Sequence, residues 1–97
     1  MSEQFDFDLA SRIRRRDEIP WKPLDETVVI LDLATGDFFE LDEVGCRIWK
    51  GLDGARTLEE HAQTLADAYD IELETARSDV IAFVSDLQSK GLVVRAG

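Results

Sequence analysis

The apolar positions of this chain change period part-way along it. Residues 26–32, "ETVVILD", form a nearly continuous β-branched run, which predicts a strand. Residues 37–42, "DFFELD", alternate: Phe39 and Leu41 share one face, Phe38 and Glu40 the other. Between them "LATGD" places Gly36 where a tight turn wants a positive φ, so the two runs read as a β-hairpin. From residue 43 the spacing becomes helical. Val44, Ile48 and Leu52 recur every four residues with Trp49 beside them, predicting a helix over about 43–52. Asp42 is its expected N-cap and Gly54 its expected stop. "TLEE" (57–60) is a capping box opening a helix over 57–69, with Leu58, Ala62, Leu65 and Tyr69 as its stripe. A third helix is expected over about 73–90, lined by Ala76, Val80, Phe83, Val84 and Leu87 and broadened by Ile81. Gly91 stands at its C′ position, with Leu92 placed for a Schellman contact back to Leu87. "LVV" (92–94) reads as a short closing strand or tail.

The N-terminal segment carries a weaker pattern. Residues 1–18 are expected to be a flexible arm, with Phe5, Phe7 and Leu9 alternating in it, and residues 19–97 the folded domain. "RIRRR" (12–16) reads as a solvated arm or frayed helix. "IPWKPL" (19–24) holds two prolines and fits an edge strand or extended lead-in, with Trp21 packed on the core. Segregated strands and helices give an α+β class. The expected architecture is winged-helix-like: two or three N-terminal antiparallel strands, then a three-helix bundle.

Composition narrows the function classes. At 97 residues the chain fits one domain. It has no run approaching the roughly 20 apolar residues of a membrane span, no signal-peptide pattern and a single cysteine. A cytoplasmic protein without disulfides is expected. Residues 1–24 hold five basic and five acidic residues, whereas residues 25–97 hold six and sixteen, and the whole chain carries −10. That balance opposes binding to phosphate backbones, so neither nucleic acid nor membrane is an expected partner. The exception is the basic arm Arg12, Arg14, Arg15 and Arg16, which keeps a winged-helix nucleic-acid binder as an alternative. A protein-interaction subunit with no peptide substrate is another.

No catalytic constellation emerges. Cys46 lies one turn into a helix, where a thiol pKa can fall, but a buried core cysteine is the plainer expectation. His61, in "EEHAQ", belongs to no zinc-helix motif and reads as an exposed or half-buried helix residue. Asp32, Asp37, Glu40, Asp42 and Glu43 fall at turn, cap and solvent positions. No cofactor, metal or enzymatic activity is expected. The informative feature is "DFFEL": as the outer member of a hairpin it offers an unpaired edge, which proteins either blunt or use to capture an extended peptide.

The order of motifs resembles a known family. L-D-x-x-T-G at 31–36, F-x-L-D-x-V-G at 39–45, Ile48-Trp49, L-D-G at 52–54, T-L-E-E at 57–60 and G-L-V at 91–93 together resemble the PqqD-like family. These are the precursor-peptide recognition elements of ribosomally made, post-translationally modified peptides. The resemblance spans about residues 20–94. It implies three strands followed by three helices, with the leader of a precursor peptide added beside the third strand and packed on the third helix. Carried onto this chain, it implies binding by Asp37, Phe38, Phe39, Glu40 and Leu41, with Arg77, Val80, Ile81, Val84 and Gln88 on the helix side. Whether Phe38 or Phe39 faces the peptide is open, because a one-residue slip in register exchanges them. The implied partners are a leader peptide and a modifying enzyme, such as a radical-SAM protein or a leader protease and cyclase. Exposed edges permit a monomer or a dimer.

Overall fold

The computed structural model describes residues 7–96. Phe5 and the rest of residues 1–6 lie outside them. The hairpin is present as β3 (Thr27–Leu31) and β4 (Phe38–Leu41). Asp32 N–H donates to the Asp37 carbonyl at 2.8 Å and Gly36 N–H to the Asp32 carbonyl at 2.7 Å. Gly36 takes φ +77°, which a non-glycine residue rarely adopts. β2 (Trp21–Leu24) adds to the other side of β3, giving an antiparallel sheet β2-β3-β4. Pro23 within it is tolerated because β2 is an edge strand. Trp21, Ile30 and Phe39 lie across from one another, as do Val28 and Leu41. This face packs on the helices, and Val28 and Ile30 are fully buried.

The helices follow as α1 (Glu43–Gly51), α2 (Leu58–Tyr69) and α3 (Leu73–Ser89). Asp42 caps α1 by accepting from Gly45 N–H at 2.8 Å. Thr57 and Glu60 form both halves of a capping box on α2. α3 ends in a Schellman motif: Leu92 N–H donates to the Leu87 carbonyl at 3.0 Å, Gly91 N–H to that of Gln88 at 2.9 Å, and Gly91 has φ +71°. The α+β class, with antiparallel strands leading into three helices, is the expected one.

A second sheet departs from expectation. β1 (Arg12–Arg15), β5 (Asp53–Thr57) and β6 (Val93–Ala96) form an antiparallel sheet in the order β5-β1-β6. Residues 12–15, expected in a flexible arm, are therefore its central strand, and Ile13 is fully buried. The closing strand 92–94 is realised as β6. Gly54 does not stop α1, which ends at Gly51 with Leu52 as C-cap. It sits instead in an irregular stretch of β5 at φ +82°, where a Cβ would come 2.8 Å from the Ala96 Cβ. Glycine is required there by close strand approach and by backbone conformation.

The basic segment is spent inside this architecture. The Arg15 guanidinium lies 5.2 Å from the Trp21 ring centre and 5.9 Å from that of Trp49. It donates to the Trp49 carbonyl at 2.6 Å and the Lys50 carbonyl at 2.9 Å, capping the last turn of α1. The two indoles meet edge to face at 6.1 Å. Arg14 and Arg16 pair with Asp17 and Glu18 at 3.7 and 3.3 Å.

Candidate functional site

β4 closes one side of its sheet, and no described strand lies beyond it. Its backbone polarity follows from two hydrogen bonds. Asp32 N–H bonds to Asp37, whereas Leu31 N–H bonds to the Pro20 carbonyl on the β2 side at 2.9 Å. Successive residues of an antiparallel strand direct their main-chain groups to opposite sides. The groups of Asp37, Phe39 and Leu41 therefore face β3. Those of Phe38 and Glu40 face the open edge. The side chains sort differently: Phe39 and Leu41 point to the core, and Phe38 and Glu40 to the outer face. Phe38 is 69% exposed. With Pro20, Leu24, Val29 and Leu31 it lines a shallow apolar hollow on that face.

Beside this edge, on the helix side, runs a groove of about 410 Å³. Its apolar lining is Leu41, Val44, Gly45, Ile48, Ala82 and Phe83, and its rim carries Glu40, Asp42, Asp79 and Asp86. Gly45 shapes the floor, because a Cβ there would stand 3.1 Å from Phe83 Cε1. Its missing side chain lets α3 settle against the start of α1.

The α3 residues at the groove differ from those expected. At 3.6 residues per turn, α3 divides into three stripes. Ala76, Val80, Val84 and Leu87 form the buried stripe, so Val80 and Val84 present no surface to a ligand. Asp79, Ala82, Phe83 and Asp86 form the stripe that borders the groove. Arg77, Ile81 and Gln88 lie roughly opposite it, across the buried stripe. Arg77 makes a bidentate ion pair there with Glu59 of α2, its Nε donating to Oε2 at 2.9 Å, and bonds Glu74 at 3.3 Å. The Glu59 pair raises the Arg77 pKa and lowers that of Glu59. Ile81 packs partly on the core and Gln88 is buried. None of the five expected α3 residues lines this groove: Val80 and Val84 are buried, and Arg77, Ile81 and Gln88 lie about half a turn away. Phe83 was the available signal, an aromatic residue set off from the buried stripe on the side facing α1.

The remaining chemical candidates are structural. Cys46 is 5% exposed. His61, expected at least half-exposed, is also buried. Desolvation, reinforced by Arg56, lowers its pKa below the ordinary histidine value. Its Nε2 has no hydrogen-bond partner among the described residues. No group of three or more metal-ligating side chains occurs among them, and no described helix is long and apolar enough to cross a membrane.

Comparison with known proteins places this geometry in context. Residues 27–93 match the family model of coenzyme PQQ synthesis protein D. A solved structure of TbiB1 in complex with the TbiA(beta) leader peptide is 32% identical and superposes with a TM-score of 0.75, over 82% of this chain and 93% of that one. Lasso peptide synthetase B1 complexed with the leader peptide is 27% identical, with a TM-score of 0.77 over 87% and 99%. The PqqD portion of Methylobacterium extorquens PqqCD, a stand-alone recognition element for ribosomally synthesised and modified peptides, shares the fold at 22% identity. Its TM-score is 0.76, over 93% and 96%. No curated protein matches the chain.

Proposed function

The chain belongs to the PqqD family, and from that premise we propose that it is a non-catalytic adaptor for a ribosomally made precursor peptide. The leader would add as a strand along β4, pairing with the outward N–H and C=O groups of Phe38 and Glu40. Its alternate side chains would enter the groove over Phe83, Ala82 and Val44. The core peptide would then be presented to a separate modifying enzyme, such as a radical-SAM protein or a leader protease with a cyclase. The cytoplasm, where the precursor is translated, suits this role. The observation that carries the reading is the unpaired β4 edge beside an apolar-floored groove, in a chain 32% identical to a protein solved with a leader peptide.

The nucleic-acid alternative loses its footing, because Arg15 caps α1 and Arg14 and Arg16 are paired within the fold. An amide titration tests the adaptor reading. The isotope-labelled chain would be titrated with leader segments of short peptides encoded beside its gene. Shifts at residues 37–41 and 79–86 are expected. A leader that binds elsewhere, or leaves those amides unmoved, sinks the proposal.

A further inference from the structure

Resting on that reading, we infer that the peptide held at β4 is cationic where it crosses the groove: an apolar anchor flanked by Lys or Arg on the same face. The groove pairs an apolar floor with a carboxylate rim, and the rim is not balanced from within. Asp42 is held by its capping bond. Asp86 is held by Lys90, whose Nζ lies 2.7 and 2.8 Å from its two oxygens. Glu40 stands at the strand edge with its side chain on the outer face, whereas Asp79 lies on the α3 wall and meets no charged or hydrogen-bonding partner among the described residues. Asp79 is the rim carboxylate on the groove face that is free to receive a ligand.

Lys90 shows which chemistry fits. Its ammonium is held by Asp86 and stands 5.3 Å from the centre of the Phe39 ring. One cation is therefore already nested between an acid and an aromatic ring of the binding strand. A peptide lysine or arginine brought in by strand addition meets the same pairing of acid and apolar surface at Asp79, beside Phe83. In an added strand, residues two apart share a face. The anchor over Ala82 and Phe83 is thus flanked on that face by its i−2 and i+2 neighbours. Those two positions reach the rim. Acidic residues there would face like charge across a surface that excludes part of the screening water, so the rim selects against acidic leaders as well as for basic ones.

The test uses three synthetic peptides of about ten residues, long enough to pass the four residues of β4 in an extended form. Each has a central leucine and alternates apolar and polar residues. They differ only at i−2 and i+2, which are both Lys, both Gln or both Glu. Binding is read as amide shifts of residues 38–41 and 79–86 at low salt. The Lys peptide is expected to bind roughly threefold tighter than the Gln peptide, and the Glu peptide more weakly than either. The Lys advantage should shrink as salt approaches the molar range. The variant Asp79→Asn changes one exposed side chain and is expected to bind Lys and Gln peptides nearly alike. Equal binding of Lys, Gln and Glu peptides at β4 overturns the charge inference and leaves the strand-addition reading standing. A Lys preference that survives this variant undiminished also overturns it. A panel in which no peptide moves the β4 amides overturns both.

Discussion

The two sheets are built from similar strands yet differ in how their partners are distributed along the chain. β2, β3 and β4 are consecutive, joined by turns whose residues announce them. β1, β5 and β6 come from the start, middle and end of the chain. The first sheet ends in a regular strand with an open edge beside a groove. The second puts the fully buried Ile13 on its central strand, and its β5 edge is broken by a register shift within residues 53–57, opposite Arg12 to Arg14. A bulged edge is a poor template for another strand, and a flat one is a good template. Local pairing built the open edge proposed for binding, and distant pairing built the frame that holds it in place.

The largest expected effect separates frame from surface. Ile13→Ala removes a fully buried side chain from β1 and should cost about 2–5 kcal/mol. Urea denaturation would measure it, while leader affinity per folded molecule should hold. A cost below about 1 kcal/mol would mean that β1 is dispensable. Gly54→Ala comes next, at about 1–3 kcal/mol, because alanine must adopt φ +82° against Ala96. An unchanged melting temperature would show that β5 relaxes freely.

Glu40→Pro works on the other sheet. It removes an N–H that faces the open edge and spares the β3 ladder, so the fold should keep its stability. Leader affinity should fall about tenfold by fluorescence anisotropy, as expected for a lost hydrogen bond of roughly 1 kcal/mol and some local misfit. Equal affinity in this variant would argue against main-chain pairing at that residue.

A smaller effect depends on pH. The folded-state pKa of His61 lies below its unfolded value near 6.5. Below pH 6.5 the unfolded chain therefore binds the proton first. Stability should decline as pH falls from 6.5 through the folded pKa, ahead of the carboxylate region. His61→Gln should flatten that part of the curve. Smallest of all, Phe38→Ser should change stability by no more than about 0.5 kcal/mol, since Phe38 is 69% exposed.

Legibility in the sequence followed the same division. The hairpin, three helices, Asp42 cap, capping box and Schellman end are all written within a few residues of where they act. β1 was not legible. Ile13 is one apolar residue among four arginines, which gives no period, and its partners β5 and β6 begin 40 or more residues away. β5, "DGART", has too little apolar content to read as a strand. For the site, strand alternation placed Phe38 and Phe39 on opposite faces but left open which was which; β3 pairing resolves it, with Phe39 opposite Ile30. On α3, a broad apolar face hid the boundary between core and groove. Only the position of α1, reached through Gly45, sets that boundary.

The placement of β1 between β5 and β6 also has a consequence during synthesis. Of the described strands, the first to leave the ribosome pairs with the last, Arg12 opposite Ala96 and Arg15 opposite Val93. The β2-β3-β4 hairpin unit and α1 can assemble early, but Ile13 has no complete home until β6 emerges. A nascent chain would hold β4, the strand proposed to take the peptide, before its frame is shut. A fragment ending before residue 93 should expose residues 12–15 to proteases, whereas a chain that includes β6 protects them.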